Sequence, residues 1–222
     1  MNVADAIRNR KSTRAFLPRE VTEAQLRELL EVARWSPSGG NTQPWQLYAL
    51  SGTGMSRFQE AFKAEMAANP RGDRTEFPIY PEGLKEPYRT RRYVCGEALY
   101  ASIGIPREDT PGRLRQLGRN YEFFGATAAV FFTIDRQMGL GQWAHLGMLM
   151  QSVALMAESM GLATCMQEAW MTRHAFLRRF FEIPEHLQTY AGIAIGYADH
   201  SAPINQWRTG RAPLDEFVIF AK

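Results

Sequence analysis

Apolar residues along this chain recur at two spacings, and the changes from one spacing to the other mark out its elements. Leu26, Leu29, Leu30 and Ala33 fall on one helical face. Thr22 supplies an N-cap hydroxyl and Gln25 completes a capping box, so a helix is predicted from Thr22 to near Trp35. Ser36 to Pro44 is a run of turn formers, after which Trp45 to Ser51 alternates as a strand. A second helix is expected from Ser56 to about Ala68. Beyond it Pro70, Gly72, Pro78, Pro81, Gly83 and Pro87 interrupt every period, and 69 to about 92 reads as an excursion or lid. Helical patterns return over Tyr93 to Ile103 and Gly112 to Phe124. Ala126 to Ile134 is apolar on both faces, as a strand inside a sheet should be.

From Gln142 to Met160 the pattern is apolar nearly all round, with Trp143, Leu146, Met148, Leu149, Met150, Val153, Leu155, Met156 and Met160 reaching every face. Such a helix must be buried on all sides, either centrally or against a second subunit, and the second subunit is the reading adopted. A short strand ending near Gln167, a helix from about Arg173 to Phe181 and a strand from Thr189 to Tyr197 follow. The tail 198–222 carries Pro203 and Pro213 and needs a surface to lie against. No internal repeat or second domain is visible, so 1–222 is read as one domain.

Composition narrows the classes. With 222 residues, 45% hydrophobic and 22% charged, the chain can bury a core, which excludes a disordered or fibrous protein. No apolar run reaches the roughly 18 residues of a membrane span. The N-terminal residues lack a secretory pattern, so a cytoplasmic protein without membrane association is expected. A formal charge of +3 argues little for nucleic acid, and Arg89, Arg91, Arg92, Arg107, Arg113, Arg115 and Arg119 are mixed with acids; no nucleic-acid partner is expected. Cys95 and Cys165 read as free thiols, and His145, His174, His186 and His200 are scattered without ligand spacing, so no metal is expected. Neither G-x-S-x-G nor a P-loop is present.

Three segments can carry chemistry. Arg8, Arg10, Lys11 and Arg14 lie between Asp5 and Glu20 without an intervening acid. In an extended segment Arg10, Ser12 and Arg14 share a face, where two guanidinium forks and a hydroxyl can converge on a phosphate or another anion; a solvated basic run is the plainer alternative. The loop Ser36 to Pro44 admits close backbone approach to a planar ligand, or is an ordinary helix-to-strand turn. Thr164 to Trp170 follows a buried strand, where sheet proteins tend to place ligands, or is simply a strand end. Gly139-Leu140-Gly141-Gln142-Trp143-Ala144 fits G-x-G-x-x-A, but four residues separate it from the strand and Glu168 is too distant to be the ribose-binding acid, so this dinucleotide fingerprint is set aside.

Taken in order, Arg10-Lys11-Ser12-Thr13-Arg14, the segment Ser36-Pro37-Ser38-Gly39-Gly40-Asn41-Thr42-Gln43-Pro44-Trp45, Gly161-Leu162-Ala163-Thr164-Cys165 and Arg211-Ala212-Pro213-Leu214 resemble the nitroreductase family of flavoenzymes. The resemblance covers nearly the whole chain, and its most specific piece is the SPSxxNxQPW loop. It implies an α+β nitroreductase-like fold: a central mixed or antiparallel sheet flanked by helices, in an intertwined homodimer whose interface holds the long apolar helix and whose tails contact the partner. It further implies FMN in each of two interface clefts, with NAD(P)H as electron donor. Arg10 and Ser12 would hold the FMN phosphate with Arg208 and Arg211, with Lys11 alongside, and Arg14 would lie near the pyrimidine edge. Pro37, Ser38, Gly39 and Asn41 would come from the other subunit. Met166, Gln167, Glu168 and Ala169 would run beside the flavin, with a backbone N–H near Glu168 or Ala169 facing N5, and Asn120 would meet the pyrimidine amides. FMN carries the redox chemistry, so no protein group is expected to act as catalytic acid or base. The implied activity is ping-pong hydride transfer at N5 to nitroaromatic or quinone-like acceptors, as in the nitrobenzoate-type branch, with Phe77, Tyr80 and Tyr88 roofing the flavin. The alternatives are a flavin-sequestering or flavin-transfer protein without turnover, and a family member that reduces activated alkenes or halogenated aromatics.

Overall fold

The long strand β5 (Leu187–Ala198) is the axis of a five-stranded sheet in the computed structural model, which describes residues 1–221. On one edge it pairs with β3 (Ala128–Asp135), which in turn pairs with β2 (Trp45–Leu50). Along its other edge lie β4 (Ala163–Gln167) and the two-residue β1 (Phe16–Leu17). Every one of these pairs is antiparallel. The one parallel contact among the described residues is an isolated bridge between Ser12 and Thr164, so of the two sheet types expected, the antiparallel one is found.

Helices cover both faces. On one, α3 (Gly52–Ala68) and α7 (His174–Phe181) pack Phe58, Phe62, Phe176 and Leu177 against Phe123, Phe131, Cys165 and Trp170. On the other, α2 (Glu23–Ala33) and α6 (Leu140–Ser159) bring Leu26, Leu29, Leu146, Leu149 and Val153 onto Val130, Phe132, Ile193 and Ile195. The alternation of β3 explains both cores, since successive residues of a strand point to opposite faces. The expected capping box is present: Thr22 Oγ1 accepts from the Gln25 N–H at 3.2 Å, and Gln25 Oε1 accepts from the Thr22 N–H at 3.0 Å.

Several boundaries differ from the sequence pattern, each for a physical reason. Helix α1 (Val3–Asn9) was hidden because Ala6 is its only buried residue, leaving no apolar stripe to read. Helix α3 begins at Gly52 rather than Ser56, and α4 (Tyr88–Ala101) begins five residues before Tyr93, so the irregular segment ends at Pro87. The pattern from Gly112 to Phe124 divides into α5 (Thr110–Gly118) and a 3-10 stretch, Arg119–Gly125. There Phe123 and Phe124 adopt left-handed φ of 52° and 56°, and both side chains are buried in the aromatic core. Helix α6 is not enclosed within one chain: Leu140 is 91% and Met148 46% exposed. The glycines that fitted a dinucleotide fingerprint form the turn into α6, where the Gly139 N–H donates to Gln142 Oε1 at 3.1 Å. Strands β3 and β4, joined by α6, run parallel but have β5 between them, antiparallel to both, so the adjacent parallel strands of a dinucleotide-binding unit are absent among the described residues.

The tail returns to the sheet through the short helix α8 (Pro203–Gln206), whose Asn205 is 2% exposed. Its amide oxygen accepts from the Arg14 N–H at 2.8 Å, and its amide nitrogen donates to the carbonyls of Ala15 and Asp199 at 2.7 and 2.8 Å. Asn205→Ala strands the Arg14 N–H and leaves the Ala15 and Asp199 carbonyls with only the Asp199 and Ala202 N–H groups, at 3.0 and 3.4 Å, so it should destabilise the fold by about 1–3 kcal/mol in urea unfolding. Gly192 is constrained by packing: a Cβ there would lie 2.8 Å from Trp170 Cδ1 and 3.3 Å from the Phe131 ring. Neither ring can retreat within a full core, so Gly192→Ala should cost about 1–3 kcal/mol by the same measurement.

Candidate functional site

The segment after α1 is extended and hydrogen-bonded to the start of β4, the Thr13 N–H donating to the Thr164 carbonyl at 2.9 Å. Thr13 points inward at 2% exposure. Arg10, Ser12 and Arg14, on the alternate positions, line a cavity of about 220 Å³. The tail closes that cavity with Trp207, Arg208, Thr209 and Arg211, and α4 adds Cys95, Gly96 and Leu99. Lys11 lines it too and donates from Nζ to the Asn205 carbonyl. Residues almost two hundred positions apart thus meet at one wall because Asn205 fastens the tail to the Arg14–Ala15 backbone.

The cavity is electrostatically one-sided. Among the described residues none of Arg10, Lys11, Arg14, Arg208 or Arg211 makes an ion pair within 4.0 Å. Burial, then the guanidinium groups of Arg211 and Arg208, lower the pKa of Arg10 below its ordinary value, with Glu158 opposing. Glu158 is itself pushed up by burial and held back by Arg10, Lys11 and Arg208. Cations converging in this way, beside the Ser12 hydroxyl, suit a multiply charged oxyanion such as a phosphate monoester. Cys165, fully buried behind this wall, is pushed up to about 11 by desolvation and stays a neutral thiol.

At the far end of β4 the chain enters a 3-10 stretch, Glu168–Arg173. Met166 packs with the α2–α6 core. Gln167 is buried, donating from Nε2 to the Asn120 carbonyl at 2.6 Å, while its Oε1 accepts from Trp170 Nε1 at 3.4 Å. Glu168 accepts from the Tyr190 hydroxyl at 3.1 Å, and the Ala169 carbonyl accepts from Thr172 Oγ1 at 2.9 Å. Asn120 is used inside the chain: its amide nitrogen donates to the Leu117 carbonyl at 2.9 Å and its amide oxygen lies 3.4 Å from Gln167 Nε2. It braces the 119–125 stretch against β4.

The loop Ser36 to Pro44 stands apart from this cavity within one chain. Ser38 Oγ accepts from the Gln43 N–H at 2.9 Å, and Gly40 and Asn41 take left-handed φ of 61° and 53°, a conformation these two residues tolerate best. The Gly39 N–H donates to His145 Nε2 on α6 at 3.3 Å, holding Pro37, Ser38, Gly39 and Asn41 at the solvent edge of that helix. Phe77 meets Trp143 edge-on and stacks on Tyr190, whereas Tyr80 and Tyr88 are exposed. Sequence reasoning missed Asn205, Trp207, Thr209 and the α4 residues. The irregular tail offers no period to read, and α4, legible as a helix from Tyr93 on, buries no residue whose position would tie it to a cavity. A larger open crevice, about 1270 Å³ between α3 and α5, contains none of the sequence-predicted residues.

Known proteins share this architecture. The model of the nitroreductase family matches residues 7–197. The chain is 35% identical over 218 residues to a nitrobenzene nitroreductase of Ectopseudomonas oleovorans, covering 98% of this chain and 96% of that one. It is 32% identical over 216 residues to a 4-nitrobenzoate reductase of Pseudomonas putida, covering 96% and 93%. Among solved structures, the FMN and NADPH-dependent nitroreductase NfnB from Sphigopyxis sp. strain HMH superposes with a TM-score of 0.94 at 40% identity, over 100% of both chains. The FMN-dependent NfnB of Mycobacterium smegmatis, solved with NADPH, gives 0.90 at 31% identity over 99% and 97%. With the family model matching residues 7–197 and a relative 35% identical over nearly the whole of both chains, the chain belongs to the nitroreductase family.

Proposed function

We propose that this protein is an FMN-dependent oxidoreductase that uses NAD(P)H to reduce nitroaromatic acceptors. The observation that carries the reading is the meeting of Arg10, Arg208 and Arg211 with the Ser12 hydroxyl in one cavity without an ion-pair partner among the described residues. That donor set fits the FMN phosphate, and the relatives' own names attach FMN, NADPH and nitroaromatic reduction to the same fold.

FMN, when bound, supplies hydride acceptance and donation at N5, so no catalytic acid or base is required of the protein. Arg10, Ser12, Arg208 and Arg211 would bind the phosphate, with Lys11 holding the Asn205 carbonyl beside them. Arg14 would place a fixed cation where negative charge gathers on the reduced ring, stabilising that form. Met166, Gln167, Glu168 and Ala169 would form the strip beside the ring, with the Glu168–Ala169 backbone toward N5. Asn120 would meet the pyrimidine amides while bracing the strip through Gln167.

A homodimer completes this reading. Val3 and Ile7 on α1, Val32 and Trp35 at the end of α2, and Leu140 and Met148 on α6 are all exposed, and α1 and α2 both pack against α6. This apolar surface is the kind a subunit interface covers. In the dimer Pro37, Ser38, Gly39 and Asn41 would reach the partner's flavin, and the exposed Phe217, Ile219 and Phe220 of the tail would lie on the partner.

Two measurements test the proposal. FMN-loaded protein should oxidise NADPH at a rate that depends on added nitrobenzene; NADPH consumption indifferent to every nitroaromatic tried would refute the acceptor class. The phosphate assignment is read from selectivity. Wild type should bind FMN far more tightly than riboflavin, which lacks the phosphate, and Arg10→Ala should remove about 1.5–3 kcal/mol of that preference, roughly 10- to 150-fold. Arg10→Ala with its selectivity intact would exclude Arg10 from the phosphate site.

A further inference from the structure

Residues 69–77 open the irregular segment, yet they are bound tightly to the stretch that follows β4. Arg173, 3% exposed, donates from Nη1 to the Asn69 carbonyl at 2.6 Å and from Nη2 to the Pro70 carbonyl at 3.1 Å. The Asp73 N–H donates to the Thr172 carbonyl at 2.7 Å, and the Asp73 carboxylate accepts from the Ala175 N–H at 3.0 Å. Gly72 has φ +74°, and a Cβ there would stand 2.6 Å from the Thr172 carbonyl oxygen and 2.9 Å from the Arg173 guanidinium carbon. Only glycine allows the two segments to approach so closely.

From this anchorage Phe77 reaches across to the opposite side of the same stretch. Its ring meets Trp143 edge-on, with centroids 4.9 Å apart at 72°, and lies over Tyr190 at 6.3 Å and 26°. Trp143 and Tyr190 are perpendicular, at 5.3 Å and 89°. These contacts fix the Tyr190 ring on β5 and aim its hydroxyl at Glu168 Oε1, 3.1 Å away. Burial, then the Glu168 charge, push the Tyr190 phenol up to about 12, so it remains a hydrogen-bond donor across the neutral range.

We propose that Tyr190 is a positioning residue for the redox site: by donating to the Glu168 carboxylate it holds that charge, and the Glu168–Ala169 peptide with it, in one orientation and so sets how readily bound FMN is reduced. The inference rests on the placement of that peptide at the N5 edge proposed above. A carboxylate compensated by a donor opposes the arrival of negative charge on the flavin less than a free one does. Removing the donor therefore disfavours reduction, and removing the carboxylate favours it.

The test compares wild type, Tyr190→Phe, Glu168→Gln and the double variant, each loaded with FMN, reading FMN affinity by fluorescence and midpoint potential against reference dyes. The expected result is retained FMN binding in all four proteins. Tyr190→Phe should shift the potential negative and Glu168→Gln should shift it positive, while Tyr190→Phe should shift nothing further in the Glu168→Gln background. FMN bound with equal potentials in wild type and Tyr190→Phe overturns the inference and leaves the proposed function standing. Should Tyr190→Phe not fold, an unchanged potential in Glu168→Gln overturns it equally. A wild-type chain that holds no FMN overturns the proposed function and this inference together.

Discussion

The arrangement of this protein depends on one strand that is hydrogen-bonded along both edges and pressed on both faces. Strand β5 carries β3 on one side and β4 and β1 on the other, and every residue from Ala191 to Gly196 is buried. Its small residues make this possible. Trp170 and Phe131 close over Gly192, and Phe16 over Gly196, at distances that leave no room for a side chain. Because β4 is pinned to β5, its two ends become fixed points. The start takes the Ser12–Arg14 segment through Thr164, and the end launches the stretch that begins at Glu168. The proposed phosphate and N5 regions are thus opposite ends of a single five-residue strand.

Charge runs against packing at the first of those ends. Converging guanidinium groups without a carboxylate within ion-pair distance repel one another, and the lowered pKa of Arg10 records that cost together with its desolvation. Neutral hydrogen bonds hold the cluster together instead, through the buried amide of Asn205 and the Arg14, Ala15 and Asp199 backbone. A site assembled this way is preorganised for an anion, since the protein has already met the entropic cost of bringing the cations together. At the second end the fixing agents are the buried Arg173 guanidinium, which is bonded to the Asn69 and Pro70 carbonyls and makes no ion pair among the described residues, and the Phe77–Trp143–Tyr190 aromatic group.

What the sequence revealed follows from how local each signal is. The Thr22–Gln25 capping box, the turn formers from Ser36 to Pro44 and the alternation of Arg10, Ser12 and Arg14 each depend on residues a few positions apart, and each stands in the structure as its spacing implies. The apolar girth of α6 was equally legible, but the exposed Leu140 and Met148 show that one chain covers only part of it. Asn205 gave no signal, because its partners lie near residue 15 and in the turn at Asp199, and an asparagine in an irregular tail looks like any loop residue. The division of the Gly112–Phe124 pattern was hidden too, since left-handed Phe123 and Phe124 are sustained by a core assembled from distant segments. Spacing alone left open which anion the basic segment would hold, and the FMN phosphate entered as what the family resemblance implies.

The most direct test of the central claim is an anaerobic visible titration of the purified, FMN-loaded protein. The account predicts that NADPH bleaches the flavin band and that nitrobenzene, added in the absence of oxygen, restores it while being reduced. A flavin that stays oxidised in excess NADPH, or one that is reduced and then left reduced by every nitroaromatic supplied, would contradict it.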